Sequence, residues 1–169
     1  MKMSSQEEYG LRCLLRVGRE GPEASVTIGE LSRSEGISEP NVAKMMRVLR
    51  NGNFVRSTRG QAGGYTLARP AEKILLGEAL ATLGGRLYEP SFCDTHAGIE
   101  RLCTHMPDCS IRSVWRMVQQ AVDQVLGKIT LKDLLVSEKE MNAWPETRPG
   151  TVSLPTIPPH ALPRPGHEA

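Results

Sequence analysis

The chain has 169 residues, 39% apolar and 24% charged, with a formal net charge of +2. That length suits one domain with appendages and needs no disulfides to hold a core. No stretch approaches the roughly 20 apolar residues of a membrane helix, residues 1–6 lack the apolar run of a secretory signal, and no nucleophile–base pair or phosphate loop is present. The expectation is a cytoplasmic, non-enzymatic protein whose four cysteines stay reduced.

Ser4 and Ser5 each precede a glutamate by three residues, Glu7 and Glu8, which is capping-box spacing. A first helix starts there. Its stripe Leu11, Leu14, Leu15 and Gly18 faces inward, Cys13 reads as a small core residue, and Gly21-Pro22 ends it. Thr27 with Glu30 repeats the box and opens a short second helix, with Ile28 and Leu31 inward, which Gly36 breaks. Ser38 caps a third helix that tolerates Pro40 in its first turn and buries Val42, Met45, Met46 and Leu49. Short helix, glycine turn and capped second helix is helix-turn-helix spacing. After Asn51-Gly52, residues 54–58 and 65–68 predict two strands around the glycine-rich tip Arg59-Gly60-Gln61-Ala62-Gly63-Gly64.

Charge is concentrated here. Residues 41–73 carry seven basic side chains against the single acid Glu72, a net +6, and the rest of the chain is net acidic. Such a window is the electrostatic footprint of a nucleic-acid binder. The stretch Ser38, Asn41 and Lys44 would face a major groove, Lys44, Arg47, Arg50 and the strand arginine Arg56 would meet phosphates, and Arg59, beside Gly60 at the wing tip, would suit a narrow minor groove.

Pro70 separates the wing from a fourth helix over residues 76–83, ended by Gly84-Gly85. Cys93, Cys103 and Cys109 follow, spaced C-x9-C-x5-C in a stretch with few apolar residues. Thiolates are soft ligands for iron–sulfur clusters, zinc or copper(I), and they oxidise. His96 and His105 lie among them, so a four-ligand zinc site is also open. The strongest helical pattern comes next: Ile111, Val114, Trp115, Val118, Ala121, Val122, Val125, Leu126 and Ile129. So long a stripe suggests a partner helix as well as a core. A short helix over residues 131–136 closes this part. Residues 142–169 hold seven of the twelve prolines and read as a disordered tail.

The expected fold is mainly α with a small β-wing: a winged helix-turn-helix plus a long C-terminal dimerisation helix. Residues 1–86 form the DNA-binding domain, 87–109 a cysteine-rich loop, and 110–141 the dimerisation helix and end cap.

Residues 1–136 resemble the IscR/NsrR-type (Rrf-two) family of bacterial transcription factors. The resemblance is carried by Glu8-Tyr9-Gly10-Leu11-Arg12, Gly36-Ile37-Ser38, the wing Arg59-Gly60-x-x-Gly63-Gly64-Tyr65-x-Leu67, the three cysteines, and Ile129-Thr130-Leu131. It implies homodimeric winged helices crossed through the long helix, on pseudo-palindromic double-stranded DNA. It implies an iron–sulfur cluster, [2Fe-2S] or [4Fe-4S], on Cys93, Cys103 and Cys109, responding to iron, redox state or nitric oxide. The IscR-like branch has a histidine ligand three residues after its last cysteine, where this chain has Arg112, and the first cysteine gap is longer here. NsrR-like members use an acidic residue on the first helix of the other subunit, matching Glu8, which otherwise reads as the capping partner of Ser5. His96 and His105 are the local rivals. CymR-like relatives use no cluster, so a thiol-redox or partner-controlled regulator is the alternative, beside a zinc-stapled module. One branch reads bases with a glutamate where this chain has Ala43, so base preference stays open.

Overall fold

The computed structural model describes residues 3–21, 24–58, 63–89, 91–97, 103–105 and 108–143. Arg59, Gly60 and the proline-rich stretch from 144 lie outside the described residues.

Two capping boxes start the first two helices. Helix α1 spans Ser5–Arg19 and α2 spans Ile28–Glu35. The Ser4 hydroxyl accepts from the Glu7 amide, while the Glu7 carboxylate accepts from the Ser4 amide at 2.8 Å. The box is therefore Ser4–Glu7, and Ser5 is already helical. Thr27 and Glu30 make the same exchange, and the two Thr27 donors hold the Glu30 carboxyl below its usual range. Gly36 closes α2 with φ +64, the left-handed region that other residues enter only at a cost. We expect Thr27→Ala to destabilise the fold by about 1 kcal/mol. It would be read as a lower urea midpoint at unchanged slope.

Helix α3 spans Glu39–Asn51. Ser38 holds its N-cap position, but the hydroxyl makes no cap bond, contrary to expectation. Pro40, at the second helical position, removes one of the two amides such a hydroxyl can cap and leaves that of Asn41. Helix α3 packs on α1, α2 and a fourth helix, α4, spanning Leu76–Gly84. Val42, Met46 and Leu49 are fully buried, with Leu14, Leu31, Phe54, Ile74 and Leu83 around them.

The wing is an antiparallel pair, β1 (Val55–Thr58) and β2 (Gly64–Leu67), in register Val55 to Leu67 and Thr58 to Gly64. Val26 adds a bridge on the outer side of β2, exchanging backbone bonds with Tyr65 at 3.0 and 2.8 Å. A side chain at Gly64 would sit 2.8 Å from the Val26 carbonyl oxygen, so this close approach needs glycine.

Helix α5 is one turn, Phe92–Thr95, within the segment read as a cysteine-rich loop. Helix α6 spans Ser110–Leu126, about 25 Å long. It stops at Gly127, so Ile129 is not on its stripe. Ile129 is instead buried in the return segment, where Leu75 bridges Thr130 and Leu131 inserts beside α1. A 3-10 turn, Lys132–Leu135, and α7, Glu138–Asn142, complete the described chain. The return segment ties the C-terminal end of α6 to the helical core.

Candidate functional site

Helix α3 turns opposite faces to core and solvent. Ser38, Asn41, Lys44, Arg47 and Arg50 are all exposed, and those within the helix fan across its solvent-facing half. None of the three basic side chains forms an ion pair with a described residue. Arg56 is exposed on β1, and its Nε–H donates to the Thr66 hydroxyl across the hairpin at 3.1 Å. Arg69 is drawn inward instead. It pairs with Glu78 at 2.7 Å and lies 5.0 Å from the Phe54 ring centre, so it fastens the wing to α4. Arg12 pairs with Glu35 at 3.1 Å and fixes α1 to the end of α2. Of the described cations in the basic window, Lys44, Arg47 and Arg50 are exposed on α3, Arg56 on β1, and Lys73 on a 3-10 turn that follows the wing.

All four cysteines are free thiols. Cys13 is fully buried between α1 and its neighbours, and burial, aided by the Glu35 charge, pushes its thiol up to about 11. A thiol so buried and so hard to ionise is a core residue. The other three are half-buried. Cys93 lies in α5, 3.4 Å from the Tyr88 hydroxyl. Cys109 is the N-cap of α6, and its sulfur accepts the Arg112 amide hydrogen at 3.4 Å. Cys103 lies between them on the same segment. Among the described residues no group of three or more His, Cys, Asp or Glu side chains is gathered as a metal site. The donor set still suits a thiophilic group: three accessible sulfurs, none lost to a disulfide, on one segment.

The rival ligands differ in surroundings. The Glu8 carboxylate is exposed and makes no hydrogen bond or ion pair with a described residue, because Glu7 has taken the capping duty. His96 is exposed but engaged: its Nδ1 lies 3.0 Å from the Phe92 carbonyl oxygen and 2.9 Å from the Thr95 hydroxyl. Its ring stacks on Phe92 at 4.0 Å. His105 is exposed.

Sequence patterns missed a polar relay behind Cys93. Gln119, in the middle of α6, is only 7% exposed. Its Oε1 accepts the Tyr88 amide hydrogen at 2.9 Å and its Nε2 donates to Asp123 at 2.8 Å. Asp123 in turn pairs with Arg86. The hydrogen bond to Cys93, partial desolvation and the sulfur's charge hold the Tyr88 phenol above its usual range. The one available signal was a glutamine interrupting an apolar run four residues before an aspartate.

The stripe of α6 faces outward. Ile111 is 55% exposed, Val114 49%, Trp115 45% and Met117 59%. Val118, Val122, Val125 and Leu126 are half-buried, and an apolar depression runs along Val118, Ala121, Val122 and Val125. Packing against the described residues leaves this face of the helix uncovered.

A helix-turn-helix followed by a hairpin wing, with exposed cations on its third helix, defines a DNA-binding transcriptional regulator of the winged-helix class. The model of the Rrf2 family, described as iron-dependent transcriptional regulators, matches residues 3–137. The chain belongs to the Rrf2 family. It is 34% identical to the protein rrf2 of Nitratidesulfovibrio vulgaris over 135 residues, 80% of this chain and 87% of that one. Among solved structures it is similar to the IscR of T. potens, with TM-score 0.62 and 30% identity, over 80% of this chain and 86% of that one. It is equally similar in fold to CymR, the global cysteine regulator of B. subtilis, with TM-score 0.62 and 27% identity, over 80% and 96% of the two chains. No described helix is long and apolar enough to cross a membrane.

Proposed function

We propose that this chain is a cytoplasmic, non-enzymatic, homodimeric regulator. On this reading its affinity for a pseudo-palindromic operator is set by an iron–sulfur cluster on Cys93, Cys103 and Cys109. The observation that carries the reading is three half-buried free cysteines on the segment that joins the winged helix to a helix whose apolar stripe is exposed among the described residues. When bound, the cluster supplies a redox- and nitric-oxide-sensitive centre whose charge and exposure set its potential. The protein's part is mechanical. Cys93 and Cys109 lie at α5 and at the start of α6, so holding both sulfurs fixes the angle at which α6 leaves the domain. Glu8, exposed on α1, is the fourth ligand in this proposal, given by a second subunit. An oxygen donor among thiolates is the weak bond and the natural point of release. Its loss would free α1, which packs directly on α3.

Ser38, Asn41 and Lys44 face the major groove, and Arg47, Arg50 and Arg56 meet phosphates. Arg47→Ala should weaken binding by a similar factor on matched and mismatched operators and lower the slope of log affinity against log salt by about 1. A loss confined to the matched operator would make Arg47 a base reader instead.

The separate positions of the three sulfurs favour a second reading: a cluster-free regulator whose thiols oxidise directly, as a likeness to CymR allows. Purification without oxygen distinguishes the two. A brown protein with iron and acid-labile sulfide supports the cluster, and a colourless one without metal supports the thiol switch.

A further inference from the structure

Tyr88 is buried in an exposed neighbourhood, at 7% exposure, and packing alone does not require its hydroxyl. That hydroxyl lies 3.4 Å from the Cys93 sulfur, within reach of a sulfur acceptor. The chain at Tyr88 and just before it is clamped to α6. Gln119 takes the Tyr88 amide at 2.9 Å, and Arg86 pairs with Asp123. Gln119 has no freedom to turn, since its amide nitrogen is committed to Asp123 at 2.8 Å. A buried amide costs stability unless both its groups are bonded, and here both are.

We propose that Tyr88 is a positioning residue for Cys93, donating its O–H to the sulfur, and that Gln119 of α6 locks Tyr88 in that pose. The relay runs from sulfur to phenol to backbone amide to a side chain of the long helix. Whatever engages Cys93 is thereby felt by α6 without touching it. A hydrogen bond from a neighbouring side chain both orients a sulfur ligand and withdraws charge from it. For the cluster this inference rests on the function proposed above; for the bare thiol it does not.

The test has two arms on the full-length protein. In the cluster-free protein, alkylation by iodoacetamide is followed at Cys93 and Cys103 together by mass spectrometry. The pH is set above the ordinary thiol range, where the sulfurs are ionised and a hydrogen bond only lowers nucleophilicity. Tyr88→Phe keeps the ring and should speed Cys93 several-fold relative to Cys103. Gln119→Met, which touches no sulfur, should do the same, and the double variant should add little beyond either. In the reconstituted protein, Tyr88→Phe should lower the reduction potential, because a donor on sulfur favours the more negative, reduced cluster. If Tyr88→Phe leaves the Cys93 to Cys103 ratio unchanged, the positioning role is overturned, even should Gln119→Met fail to fold. If Tyr88→Phe acts and a folded Gln119→Met does not, the lock is overturned. A wild-type protein that takes up no cluster overturns the regulatory reading instead, and the alkylation arm still decides this one.

Discussion

Replacing any one of Cys93, Cys103 or Cys109 by alanine should remove essentially all visible absorption from anaerobically prepared protein, while Cys13→Ala should leave it. The contrast follows from surroundings. Cys13 is fully buried and its thiol is pushed up to about 11, so it stays a neutral core group. The other three are accessible on one segment. Each would bring one deprotonated sulfur, and a cluster short of a thiolate loses one of its soft ligands. Glu8→Ala should act differently, keeping the three thiolates and speeding cluster loss. Should Cys13 alone prove essential, or His96→Ala bleach the protein while Glu8→Ala does not, the ligand set proposed here is wrong. Stability offers a second check on Cys13. A folded pKa raised above the unfolded one favours folding at neutral pH and loses that contribution as pH rises from about 9 towards 11.

The second large effect is on assembly. Val118→Glu should convert a dimer into a monomer at micromolar concentration in sedimentation. It should weaken operator binding by orders of magnitude, since both half-sites must be held together. Val118 lies at the centre of the α6 stripe, between the exposed Val114 and Trp115 and the half-buried Val122. A charge there would be desolvated twice over in a symmetric contact, at a cost of several kcal/mol. Gln120→Glu, on the exposed polar side of the same helix, should leave the dimer intact. A monomeric wild type, or an undisturbed Val118→Glu dimer, would remove α6 from the interface.

Much of this protein is determined locally, and there the sequence sufficed. Helix starts are set by side chains three residues apart, as Thr27 with Glu30 shows. The left-handed turn at Gly36 is a property of one residue. The buried face of α3 follows from helical period alone, and Val42, Met45, Met46 and Leu49 are buried as the pattern predicts. Wing, helix-turn-helix spacing and the placement of Cys13 in the core were legible for the same reason. What tertiary structure decided involves groups far apart in sequence or two equal local choices. Ser4 and Ser5 had the same capping spacing, and the structure chose Ser4, which left Glu8 outside the box. Arg69 and Arg56 look alike in a basic window, yet packing of Phe54 and Glu78 draws Arg69 inward. Ile129 fits the stripe of α6, but the bridge between Leu75 and Thr130 takes that stretch out of the helix and into the core. The relay from Cys93 to Gln119 joins positions 26 residues apart through a tyrosine that no motif marks. Hydrogen bonds of that kind depend on the path of the backbone, which no periodicity encodes.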